Sequence, residues 1–208
     1  SGSSHATSIA GGSTALVREY LREQVGMNSP SASLIKAAVI NGATDLGTPD
    51  IPNNVEGWGQ INLERTILPT DGTTVLTTFY DDYKPLKAGF GLLYSFNLDP
   101  SHGIDITLAW SDVEGSANAG QGQVRLVNNL DLVLVDPNGQ EWLGNDFANG
   151  FTTSGGTADN VNNVERINVA PGTLSTSGQW LVKVLHRGGT QQNFGLVVVA
   201  DATPNAQT

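Results

Sequence analysis

Two parts of this chain carry residue types that chemistry needs. At the amino end, Gly2-Ser3-Ser4-His5-Ala6-Thr7 runs into the small-residue segment Ser8-Ile9-Ala10-Gly11-Gly12. A serine hydroxyl is a poor nucleophile until a base takes its proton and N–H donors hold the oxyanion formed on attack. A helix N-terminus supplies such donors together with a positive dipole end, and small neighbours admit a peptide, so Ser4 is a candidate nucleophile. The same residues also read as a flexible Gly/Ser linker before a helix capped by Thr7 or Ser8. The second part is acidic. Asn129, Asp131, Asp146, Asp159, Asn162 and Asn163 fall in "VNNLDL", "LGNDF" and "TADNVNN". Calcium takes about six to eight oxygens from such side chains on irregular loops, while Asp and Asn also favour turns for their backbone geometry alone. Spacing leaves both readings open.

The elements that must position these residues change character along the chain. Residues 1–68 read as helical, with Ile9, Leu16, Val17, Tyr20, Leu21 and Val25 on one apolar face and Gly26 as a stop. Gly11 and Gly12 each cost about 1 kcal/mol in a helix, which predicts a close backbone neighbour and a first helix buried on most sides. A second helix is expected from Ser29 as cap and Pro30 at its first position, through "SLIKAAVI", to Gly42. "GWGQINLERTI" predicts a turn and then a short strand or helix.

From about residue 72 the period becomes two. "TTVLTTFY", "GLLYSFNL", "GIDITLAWSD", "LDLVLVDP", "QEWLG", "NNVERINVA", "GQWLVKVLHR" and "FGLVVVAD" all alternate like strands, and "DPNG" at 136–139 is a hairpin turn. Some eight short antiparallel strands predict a β-sandwich of jelly-roll type. Trp110, Trp142 and Trp180 lie in strands and are expected to pack its core. "LPTDGTT" marks the boundary between a region 1–68 and a sandwich 72–203.

Bulk properties narrow the function. The 208 residues include 20 acidic and 10 basic side chains, for a net charge of −10 and a pI near 4.5. No Lys/Arg cluster is present to grip phosphates, so no nucleic-acid partner is expected. No apolar run approaches the roughly 20 residues that span a bilayer, so no membrane partner is expected either. The absence of cysteine excludes thiolate metal sites, thiol catalysis and disulfides.

"GSSHATSIAGGSTALV" resembles the serine motif of the subtilisin-like serine proteases, the subtilase family, with Ser4 on the nucleophile. "SPSASLIKAAVINGATDLG" is similar to that family's next helix, and "EGWGQINLERTI" to its Gly-aromatic-Gly turn and closing segment. "LAWSD", "LVNNLDLVLVDPNGQEWLGND" and "NNVERINV" resemble the carboxy-terminal domain of the KP-43-like alkaline subtilases. The likeness covers nearly the whole chain in order. Ser3 stands where Thr is usual, and Ser8 replaces the usual Pro.

The resemblance implies an α+β fragment: two helices from the end of a subtilisin-like α/β catalytic domain, followed by an antiparallel jelly-roll sandwich. It implies a secreted serine endopeptidase acting on polypeptides, in which the Ser4 N–H contributes to the oxyanion hole. Subtilases carry their triad in the order Asp, His, Ser, so acid and base would precede Ser1. The implied partner is the amino-terminal portion of the same protease, and the isolated chain is expected to be inactive. His5 points away from its neighbour Ser4, while His102 lies in a "DPSHG" turn and His186 at a strand end, and none is expected to act as base. The resemblance also implies structural calcium in the sandwich, held first by Asp146, then Asp159 and Asp131, with Asn129 and Asn163. The alternative reading is a non-catalytic, calcium-stabilised sandwich that binds or stabilises a partner; a carbohydrate-binding sandwich is a third.

Overall fold

The computed structural model describes residues 2–47, 51–82, 85–120 and 122–204. Among these described residues three helices come first: α1 (Ser3–Glu23), α2 (Ala32–Asn41) and α3 (Leu63–Ile67). Eight strands follow among the described residues: β1 (Thr77–Asp82), β2 (Gly91–Ala109), β3 (Asn129–Val135), β4 (Glu141–Ala148), β5 (Phe151–Ser154), β6 (Val164–Val169), β7 (Gly178–Gly188) and β8 (Gly195–Pro204).

The expected α+β fragment with a jelly-roll sandwich is not what forms. The chain is mostly β, and its strands make one open, curled antiparallel half-barrel rather than two facing sheets. The strand order is β1-β8-β2-β7-β3-β4-β5, with β6 also paired to β2. The physical reason is β2. "GLLYSFNL" and "GIDITLAWSD" are one 19-residue strand, bent at a bulge between Asp99 and Ile104, where Gly103 takes a φ of +83°. The first half of β2 pairs with β7, the second with β6, and both halves pair with β8. A strand shared in this way holds all its neighbours in one sheet.

One face of the curled sheet carries the main core, including Phe96, Ile106, Leu132, Trp180, Val184 and Phe194. Trp110, Trp142 and Trp180 are all buried there, as packing residues. The other side of β2 and β8 is covered by α2, whose Leu34, Ile35, Ala37 and Ala38 share a second core with Ala109, Val164, Val197 and Val199. Burial on both faces explains the unbroken apolar run at 196–199, since a strand between two layers does not alternate. Gly195 marks how close the layers lie, because a Cβ there would sit 2.3 Å from Leu34 Cα.

Local signals account for the helix ends, with one shift. Ser31 rather than Ser29 caps α2, accepting from the Leu34 N–H at 3.1 Å. Ser31 also donates its hydroxyl and backbone N–H to Asp82, so the cap doubles as a tie to β1. Asn62 caps α3 through the Arg65 N–H.

The expectation of a first helix buried on most sides fails. Only Ser13, Val17 and Leu21 of α1 are buried, Ile9 and Leu16 are more than half exposed, and nothing lies within 4 Å of a Cβ placed at Gly11 or Gly12. The helix leans on α2 and α3 and meets the sheet at Tyr20, near its carboxy end, against Tyr80 of β1, while its small residues near the amino end face open space.

Candidate active site and cation sites

Ser4 occupies the first turn of α1 and is exposed. Gly2, in extended conformation, is the N-cap and offers no side chain to the first-turn N–H groups. Thr7 and Ser8, the expected caps, instead donate back to the carbonyls of Ser3 and Ser4, at 2.8 and 3.1 Å. The helix therefore begins with backbone donors that no side chain occupies, next to a serine hydroxyl. That arrangement suits an oxyanion.

It lacks a base. Among the described residues no side chain bonds Ser4 Oγ, and the three histidines are all placed elsewhere. His5 is exposed in the same turn. His102 sits on the β2 bulge with Nδ1 against Asp71. His186 is buried in β7, with Nδ1 on the Leu86 carbonyl. The hydroxyl is presented but not activated by any group described here.

The acidic residues named from sequence separate into distinct settings. Asp131, on β3, is 3% exposed and pairs through Oδ2 with Arg187 Nε at 2.6 Å, while its Oδ1 is buried without a donor. Asn129 Oδ1, two residues earlier, is buried in the same condition. Asp159 is satisfied by Asn145 Nδ2, Asn162 Nδ2 and the N–H groups of Val161 and Asn162, which outweigh burial and hold its carboxyl below the ordinary range. Asp146 lies against Gly156 and accepts from Thr153 Oγ1 at 3.3 Å. Asn163 belongs to the helix–sheet seam, bonding Lys36 Nζ and the Trp110 carbonyl.

Glu165 was not singled out from sequence. It sits on β6, 1% exposed, and one carboxylate oxygen accepts from the Leu132 N–H at 2.7 Å while the other is buried without a partner. Burial, with Asp131 and Asp159 adding like charge, pushes its carboxyl well above the ordinary range. Three orphaned acceptor oxygens, on Asn129, Asp131 and Glu165, thus lie on two strands joined by the Glu165–Leu132 bond. Buried acceptors in such a group call for a cation or a proton. In "NNVERINV" the alternating pattern masks Glu165, which looks like one more polar position of a strand.

Its neighbour Arg166 has a structural part. The guanidinium is 3% exposed and makes a two-point contact with Asp105, at 2.9 and 2.6 Å, plus a bond to the Asn41 carbonyl. Asn41 Nδ2 in turn donates to Asp105 and Thr107. This network pins the C-terminal end of α2 to β2 and β6.

No helix among the described residues is long and apolar enough to cross a membrane. No family model matches the chain. Two curated proteins of Dictyostelium discoideum do. The serine protease/ABC transporter B family protein tagA is 33% identical over 199 residues, covering 88% of this chain and 11% of the relative. The serine protease/ABC transporter B family protein tagD is 25% identical over 258 residues, covering 95% of this chain and 14% of the relative. The chain thus spans a small fraction of the length of these relatives, and over most of its own length it resembles a segment of proteins named as serine proteases, which points to a protease-related family.

Proposed function

We propose that this chain is the carboxy-terminal portion of a secreted serine endopeptidase of the subtilisin-like kind, with Ser4 as the nucleophile. The observation that carries the reading is the first turn of α1, where an exposed serine stands beside backbone N–H groups that no side chain caps. In this reading the Ser4 hydroxyl attacks the scissile carbonyl of a polypeptide, and the oxyanion settles against the helix N-terminus. The histidine that takes the proton and the aspartate behind it come from polypeptide preceding Ser1. That portion also covers the free side of α1, where Ala10, Gly11, Thr14, Ile35, Val39 and Ile61 line an open groove of about 530 Å³.

A fluorophosphonate probe tests this. The chain by itself stays unlabelled for want of a base. Expressed together with its preceding region it labels at Ser4, and Ser4→Ala abolishes the signal. Labelling of the lone chain, or labelling that survives Ser4→Ala in the longer protein, overturns the assignment.

Calcium fits the orphaned acceptors. Asn129, Asp131 and Glu165 would hold it, and its charge would neutralise the Glu165 carboxylate that burial otherwise makes unfavourable. A ligand at a hundredfold excess over Kd stabilises by about 2.7 kcal/mol, which raises Tm by about 5–10 °C in a domain of this size. Thermal melts in calcium against chelator should show that rise, and Glu165→Gln or Asp131→Asn should remove it. A rise lost instead in Asp146→Ala would put the ion beside Gly156 and Thr153.

A further inference from the structure

We propose that Asp99, His102 and Asp201 form a binding site for a first-row divalent cation, zinc by preference, with Asp71 as the residue that orients the histidine. The site lies outside the candidate active site and the calcium ligands, and it follows from the bulge in β2. Asp99 on β2 and Asp201 on β8 stand directly opposite each other in the antiparallel register. Like charges so placed repel. The bulge then carries His102 back over the pair, so that one ligand atom from each of the three residues lies within 4.8 Å of the others.

The histidine is held in a defined orientation. His102 Nδ1 lies 2.5 Å from Asp71 Oδ2. An ionised carboxylate only accepts, so Nδ1 carries the hydrogen, and the ring is turned so that Nε2 faces Asp201 Oδ2, 3.7 Å away. Asp71 is fixed in its turn, because Oδ1 accepts the N–H groups of Thr73 and Thr74, each at 2.8 Å. A carboxylate behind a histidine whose other nitrogen faces the ligand position is the usual outer support of a protein metal site.

Charge and donor type choose the ion. Two opposed carboxylates match a dication, whereas a proton on Nε2 would answer only one of them. An imidazole nitrogen selects zinc and its first-row neighbours over calcium and magnesium, which prefer oxygen alone. Three protein ligands leave a fourth position for water on the exposed side, where Asp201 is 46% open to solvent. A bound ion would fasten the segment between α3 and β1, which carries Asp71, to the bend of the central strand.

The test is titration of zinc chloride into the 208-residue chain stripped with a chelator, read by calorimetry and by side-chain nitrogen NMR of the histidines. One equivalent should bind and move the His102 Nε2 resonance, leaving His186 unchanged. Asp71→Asn should weaken binding by about 10- to 100-fold, and His102→Gln should remove the site. Calcium at the same concentration should leave His102 unmoved. Zinc binding that is unchanged in His102→Gln, a His102 resonance that stays that of a protonated ring in saturating zinc, or an equal response to calcium would each overturn the proposal. The NMR reading uses the unaltered protein, so it decides the matter even if a variant folds poorly.

Discussion

α1 and α2 lie side by side and are buried very differently. Seven of the ten residues of α2 are buried, against three of the twenty-one of α1. The cause is position in the stack. α2 is enclosed between the sheet and α1, whereas α1 has a neighbour on one side only. The glycines of α1 make the point most clearly. Within a finished layer such residues let another backbone come close, yet here that space is open. The difference teaches that α2 belongs to the stability of the sheet, and that α1 presents surface, with Ser4 at one end of it.

Three substitutions sharpen or break this contrast. The largest effect is expected where α2 is pinned to the sheet. Asp105→Ala leaves the buried Arg166 guanidinium without its carboxylate and should cost about 3–5 kcal/mol. Urea denaturation should show the loss as a lower midpoint with little change in slope. A cost below about 1 kcal/mol would mean that the network does not hold the layers together.

Next comes the helix–sheet approach itself. Gly195→Ala pushes a methyl group against the backbone of Leu34 and should cost about 1–3 kcal/mol by forcing α2 away from β8. Thermal unfolding is a sufficient readout, and an unchanged Tm would place α2 more loosely than described. The smallest effect belongs to α1. Leu16→Ala, at a side chain 51% exposed, should change stability by less than about 0.5 kcal/mol. A larger loss would show that the outer face of α1 is already covered.

Much of the strand content was legible because alternation is a local signal. The hairpin at Asp136–Gly139 formed as its residues dictate, with Asp136 accepting from Asn138 and Gln140 and Gly139 at a φ of +85°. The architecture was not legible, and the reason is specific. Pro100 and Gly103 read as a turn that ends one strand and starts another, whereas in the fold they form a bulge within one strand. A break and a bulge use the same residues, and only the pairing partners tell them apart. β5 escaped because four residues on a sheet edge carry too little alternation to register.

The candidate sites divide in the same way. Ser4 could be picked out because a helix start is written in neighbouring residues. Glu165 and the group around His102 depend on contacts between β3 and β6, or between β2, β8 and the segment before β1, over separations of 30 residues or more. A burial pattern marks a strand position as inward or outward, but not which charge will face it. The helix seam shows the same limit. The cap moved from Ser29 to Ser31 because Asp82, 51 residues away, takes both the hydroxyl and the backbone hydrogen of Ser31.

The placement of β8 has a consequence for how the chain is made. Among the described residues β1 has no strand partner but β8, and β2 pairs with β8 on either side of its bulge. α2 rests on these same two strands. During synthesis, therefore, the helices and the first two strands leave the ribosome long before the segment 195–204 that closes them. Until it arrives, β1 and one edge of β2 expose unpaired hydrogen-bonding groups, and α2 has only part of its seat. Such late, distant pairing makes assembly slow and leaves the growing chain open to strand-to-strand association. A ribosome stalled before residue 195 should therefore carry a chain that proteases cut within the helices, and release of β8 should protect all of these segments together.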